Sequence, residues 1–168
     1  TATLNNGSQV TFNPAHEMSR PGLLWSNNSL YVAFGSHGDG SPGISHGWML
    51  RYAAGSTGFL QVGSFITTQD ATSYFQSSIW MSGFAPAADD AGNIYFSTGN
   101  GAYDANTSGG KNYGESVVKL APDLSHVMDF FTPQDWQSLN TNDLDFGSAG
   151  VMLLPPQPFP NAASLAVM

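Results

Sequence analysis

The chain has 168 residues, 41% hydrophobic and 12% aromatic, which is enough to bury one sizeable core, while only 10% are charged. Four Lys and Arg stand against twelve Asp and Glu, for a formal charge of −8, and 19 Gly and 10 Pro punctuate the sequence. Four scattered cations cannot form a nucleic-acid binder's basic stripe, no run of about 18 apolar residues exists to span a membrane, and long helical periodicity is absent.

What remains is an acidic, loop-rich, all-β chain, and its elements read as short strands bounded by turn residues. Gln9 to Asn13 comes first. Gly22 to Trp25, Leu30 to Gly35, Gly47 to Tyr52 and Phe59 to Thr67 then form a set of four. A second set runs Phe84 to Ala88, Ile94 to Thr98, Ser116 to Leu120 and Val127 to Phe131, and a further strand is expected between Ser148 and Leu154. β-Branched and aromatic residues dominate these runs, and no amphipathic pattern exceeds two helical turns. The sequence opens on Thr1 without the charged and apolar regions of a signal peptide and closes on an apolar tail, so both ends are expected to be cuts in a longer sequence.

The two sets repeat one another. Asn28-Ser29-Leu30-Tyr31-Val32-Ala33-Phe34-Gly35-Ser36 returns as Gly92-Asn93-Ile94-Tyr95-Phe96-Ser97-Thr98-Gly99-Asn100, so that Tyr31 and Tyr95, like Gly35 and Gly99, stand 64 positions apart. Gly22, Pro86 and Gly150 keep the same step. Four-stranded antiparallel units at a fixed period predict a β-propeller, with residues 1–20 ending one blade, 21–83 and 84–147 forming two, and 148–168 starting the next. That is about 2.6 blades, an excerpt of a seven- or eight-bladed ring whose remaining blades would be the chain's first partners.

Antiparallel order sends the short turns to one face and the long connections, Ser36 to His46, Thr68 to Gly83, Asn100 to Glu115 and Thr132 to Gly147, to the other. Function usually sits on long loops over a rigid scaffold. The elaborated face collects His37, Asp39, His46, Asp70, Trp80, Asn100, Asp104, Glu115, Asp135, Asp143 and Asp145. Oxygen donors with one aromatic suit a hard cation such as calcium, and a flat ligand on Trp80; solvated acidic loops would carry the same residues. One stretch, Asp104 to Glu115, fits the calcium-loop pattern D-x-[DN]-x-[DNS]-G-x₅-E, with Asp104, Asn106, Ser108 and Glu115 as candidate ligands around a turn at Gly109. Lys111 stands where that pattern has an apolar residue, and no helices flank the loop. The absence of cysteine excludes disulfides and thiolate metal sites, and neither a nucleophile elbow, a zinc-protease helix nor a phosphate loop is found.

Four motifs follow in order: Ser78-Ile79-Trp80-Met81-Ser82-Gly83, Ser97-Thr98-Gly99-Asn100-Gly101, Phe131-Thr132-Pro133, and Asp143-Leu144-Asp145-Phe146-Gly147. From about Pro21 to Leu154 the chain thereby resembles the quinoprotein dehydrogenases, PQQ-dependent alcohol dehydrogenases built on an eight-bladed propeller. The resemblance implies that Trp80 stacks under the quinone, that Asn100 ligates calcium, and that Asp145 is the catalytic base beside the metal. It further implies an alcohol or sugar substrate, an electron acceptor, and a periplasmic or secreted location. The family's calcium-ligating Glu is absent from the Ser36 to His46 loop, where Asp39 is the nearest carboxylate. The cofactor-clamping Arg of the family would fall beyond Met168. PQQ-like propellers that have lost the cofactor serve as protein- or glycan-binding scaffolds, and this is the rival expectation.

Overall fold

A computed structural model describes residues 1–37, 45–69, 77–155 and 166–168. It is mostly β, with antiparallel sheets. Strands β1 (Ala2–Thr3) and β2 (Gln9–Val10) pair as a small N-terminal hairpin. β2 is shorter than the sequence suggests. Asn13 turns the chain instead, its side-chain oxygen accepting the Ala15 N–H and its carbonyl those of His16 and Glu17.

The first large sheet follows. β3 (Glu17–Met18) and β4 (Leu24–Ser26) share one edge of β5 (Ser29–Ser36), which continues antiparallel into β6 (Trp48–Gly55) and β7 (Gly58–Ile66). A two-residue turn at Asn27 and Asn28, both at positive φ, joins β4 to β5; asparagine tolerates that left-handed geometry better than most side chains. Burial alternates strictly along β5, as the period of two in a strand with both faces covered requires. Tyr31 and Ala33 face the second sheet, while Phe34 faces the N-terminal hairpin.

The second sheet runs β8 (Ala87–Ala88), β9 (Ile94–Ser97), β10 (Val117–Leu120) and β11 (Val127–Phe131) in meander order. β8 begins three residues later than expected, because the Phe84 N–H closes a 3₁₀ turn over Met81–Gly83. Helix α1 (Trp136–Asn142) and a 3₁₀ turn over Phe146–Ser148 follow. That turn takes the start of the strand expected from Ser148, leaving β12 (Met152–Leu153), which pairs with β13 (Ala166–Val167).

The repeat read from the sequence extends into the ladders. Tyr31 faces Arg51 across β5 and β6, and Tyr95 faces Lys119 across β9 and β10. Directly after each basic residue the outermost ladder slips by one, leaving Val62 and Met128 without partners. The main core lies between the sheets, where Tyr31, Met49, Ile79, Met81, Ile94, Phe96, Val118 and Leu120 are buried together. The Tyr31 hydroxyl crosses that core to the Pro122 carbonyl at 2.7 Å, tying the first sheet to the β10–β11 turn.

Candidate functional site

The long connections converge on a cavity of about 270 Å³ lined by Arg20, Ser36, His37, Ser78, Trp80, Asn100, Asp143 and Asp145. Its floor is built where glycines let backbone layers touch. A Cβ on Gly99 would meet the Trp80 indole Nε1 at 3.0 Å, and one on Gly147 would meet the Gly99 nitrogen at 2.6 Å. The Gly99 N–H bonds the Ser78 carbonyl, and the Ser78 hydroxyl accepts the Ser36 N–H at 3.0 Å. The segment carrying Trp80 is thus held between the ends of β5 and β9, and the segment carrying Asp145 leans on the far side of β9. Any side chain at Gly99 or Gly147 would push these layers apart.

Trp80, Asn100 and Asp145, which come from three separate connections, therefore share one cavity. Trp80 is half-buried rather than a core residue, and the Arg20 guanidinium lies 5.0 Å from its ring centroid. Arg20 makes no ion pair with a described carboxylate, although Asp143 and Asp145 line the same cavity. Asn100 donates its side-chain amide to Asp143 at 2.8 Å, which leaves its oxygen as the free acceptor. Asp143 sits at φ 53 as the left-handed cap of α1, with the following N–H of Leu144 closing on Leu139. Asp145 is exposed and caps the 3₁₀ turn at Phe146 through its carbonyl, which accepts the Ser148 hydroxyl at 2.9 Å.

The Asp104 to Glu115 stretch does not gather its candidate ligands. Both Asp104 oxygens are taken by Asn112, one by its backbone N–H at 2.9 Å and one by its side-chain amide at 2.6 Å. Asn106 and Ser108 are exposed on the turn. Glu115 is buried instead, and the negative charges of Asp145 and Asp143 act on it.

Glu115 is fully buried at φ 48, its N–H bonded to the Gly99 carbonyl beside Asn100. Neither of its carboxylate oxygens has a hydrogen-bond partner. Burial first, then the negative charges of Asp145 and Asp143, push its carboxyl up to about 7. Among the described residues, no three acidic or imidazole groups stand at the spacing of a formed metal shell. The oxygens lining the cavity, the Asp143 and Asp145 carboxylates and the free Asn100 amide oxygen, are of the kind a hard cation takes, while Glu115 does not line it. Asp39 and Asp70 lie outside the described residues.

A second buried carboxylate, Glu17 on β3, was not singled out by sequence. One of its oxygens accepts the His46 N–H at 3.0 Å and the other has no hydrogen bond of normal geometry. Burial pushes Glu17 up to about 7, against the lowering effect of His46 and of the Trp48 side chain. His46 pairs through Nδ1 with the Thr68 hydroxyl at 3.1 Å, and burial lowers its pKa. His46 thus bonds out of its own loop, to Glu17 on β3 and to the start of the Thr68 to Gly83 connection. The other missed residue, Arg20, reaches the cavity from the link between β3 and β4 and belongs to no motif. Compared with known proteins, the chain matches no family model, no curated protein and no solved structure.

Proposed function

We propose that the two meander sheets are blades of a quinoprotein-type propeller, and that the cavity face serves an oxidoreductase acting on an alcohol or sugar with calcium-bound PQQ. The observation that supports this reading is the meeting of Trp80, Asn100 and Asp145 in one cavity from positions up to 65 residues apart. Two sheets cannot close a ring, so the working site needs further blades.

Within the reading each side chain has a task. Trp80, braced by the backbone at Gly99, offers a fixed indole face against which a planar ring stacks. Asn100 presents its oxygen because its amide nitrogen is committed to Asp143. Asp145 is exposed to the cavity, where its carboxylate takes the proton of the substrate hydroxyl. When bound, calcium would supply Lewis-acid polarisation and the quinone an acceptor for the hydride. Arg20 is the cation nearest Trp80 and draws an anionic ligand towards the ring.

One observation favours the rival reading, a non-catalytic recognition surface: Arg20 already lies against the Trp80 ring that a quinone would need. Titrating the full protein with PQQ, in calcium or in EDTA, separates the two. Saturable calcium-dependent quenching of tryptophan fluorescence with alcohol-dependent dye reduction, both reduced by at least about tenfold in Trp80→Ala and Asp145→Asn, is the expected result. No binding at high micromolar PQQ overturns the enzyme reading and leaves the recognition surface.

A further inference from the structure

Helix α1 leads into the turn that carries Asp143 and Asp145 to the cavity, yet it buries none of its seven residues. Its N-terminus has no side-chain cap, and no charged residue in its first or last turn suits its dipole. An isolated helix so short is unstable in water, so contacts outside it must hold it. Among the described residues, one ring contact and two hydrogen bonds tie α1 and its cap to the rest of the chain. The Trp136 ring meets Tyr103 edge to face, with centroids 5.2 Å apart. The Asn140 side-chain oxygen accepts the Gly101 N–H at 2.8 Å, and the Asp143 carboxylate accepts the Asn100 side-chain amide at 2.8 Å.

The two hydrogen bonds are unequal. The Asn100–Asp143 bond is exposed, where water competes for both groups. Gly101 is buried, and the half-buried Asn140 oxygen is the acceptor its N–H finds, so loss of that oxygen leaves a donor shut away from water. The same peptide plane is pinned from its other end as well. The Asn100 carbonyl accepts the Ser77 N–H at 2.8 Å, and a Cβ on Gly101 would run into the Ser77 hydroxyl. Asn140 therefore fastens α1 to a peptide that the Trp80 segment already holds in place. Three residues further on, Asp143 reaches the Asn100 amide, and Asp145 follows.

We propose that Asn140 is a positioning residue of the cavity: by accepting the Gly101 N–H it seats α1 beside the end of β9 and so sets Asp143 and Asp145 opposite Asn100. It is not a catalytic residue, since it is not among the side chains that line the cavity. What the role requires is an oxygen acceptor on a side chain of this length. The amide nitrogen of Asn140 bonds no described residue, so an aspartate serves equally well in that respect. The proposal deepens the quinoprotein reading and rests on it only for the reaction that the positioned groups serve.

Hydrogen exchange followed by NMR on the full protein, in EDTA and without PQQ, tests it. In Asn140→Ala the side-chain amide of Asn100 should exchange at least about tenfold faster, while the backbone amides of β9 and β10 keep their wild-type rates. Asn140→Asp, isosteric and still carrying the acceptor oxygen, should restore the Asn100 protection. An asparagine that served stability alone would speed exchange throughout the second sheet. With calcium and PQQ added, kcat for alcohol-dependent dye reduction should fall at least about tenfold in Asn140→Ala and recover in Asn140→Asp, because a base displaced by even about 1 Å loses its alignment. Should Asn140→Ala fail to fold, Asn140→Gln, which moves the acceptor by one methylene, carries the test and must show the same selective rise. Unchanged Asn100 exchange, an equal rise across β9 and β10, or no recovery in Asn140→Asp would each overturn the proposal. The expected exchange pattern in a protein that reduces no dye overturns the quinoprotein reading alone.

Discussion

Glu17 and Glu115 are both buried carboxylates pushed up to about 7, yet they present two different electrostatic problems. Glu17 is raised by burial alone, and its neighbours relieve it: a backbone N–H from His46 at 3.0 Å and the nearby Trp48 side chain. A neutral acid satisfies that setting. Glu115 has no donor at all, and its neighbours Asp145 and Asp143 aggravate the desolvation. The difference teaches that a raised carboxyl pKa is not by itself a sign of function. What sets Glu115 apart is that, among the described residues, no group answers its charge.

The comparison breaks most visibly under replacement by leucine. In EDTA at pH 8, Glu115→Leu should leave stability unchanged or raise it by about 1–4 kcal/mol, because an unpaired buried charge gives way to apolar packing. Glu17→Leu at pH 6 should cost about 1–3 kcal/mol, because the His46 N–H is left without its acceptor. Urea denaturation of both variants reads the two signs. Equal losses in both would erase the distinction.

A second effect is a slope with pH. Both carboxyls are raised from 4.5, so the folded state binds more protons than the unfolded one between about pH 4.5 and 7. Their stabilising protonation is complete below the unfolded value and is lost as pH rises through about 7. Glu17→Gln should remove its share, at most about 3 kcal/mol, from that slope. His46, lowered by burial, works in the opposite direction and penalises the fold as pH drops below its ordinary 6.5. Denaturation midpoints from pH 4 to 8 in EDTA check this, and a slope unchanged in Glu17→Gln would count against it.

Smaller still is the coupling to the exposed aspartates. Asp143→Asn should lower the Glu115 carboxyl by under about one pH unit while leaving Glu17 where it is, as read by carboxyl carbon NMR. The smallest effect lies away from both sites. Tyr31→Phe should cost about 1 kcal/mol through the lost hydroxyl bond to Pro122, with neither carboxyl disturbed.

Much of the strand framework was legible because it rests on local signals. The Tyr31 and Tyr95 segments carry alternating apolar residues, and Asn27-Asn28 and Gly92 announce their turns. Where the reading ran long, at Asn13, Phe84 and Ser148, a capping or 3₁₀ hydrogen bond diverts the chain, and such bonds leave little trace in apolar periodicity. At the site, Trp80, Asn100 and Asp145 were accessible through motif order, and the cavity brings them together. Glu115 was noticed for the wrong neighbours, since its spacing from Asp104 suggests one loop while its backbone, pinned to Gly99, turns it to another. Glu17 and Arg20 had no spacing to betray them. Their surroundings are made by residues distant in sequence, His46 for one and Trp80 for the other.

The slip that follows Arg51 and Lys119 falls in the outermost ladder of each sheet, and the residue it leaves over, Val62 or Met128, is an exposed apolar side chain. An unpaired strand edge invites another chain to extend the sheet, and a flat one invites it most. One surplus residue bends and twists that edge locally. The same irregularity that marks the repeat thus also spoils the template on which copies of this chain would otherwise polymerise, and removing Val62 or Met128 to straighten the ladder should trade a tidier sheet for a stickier protein.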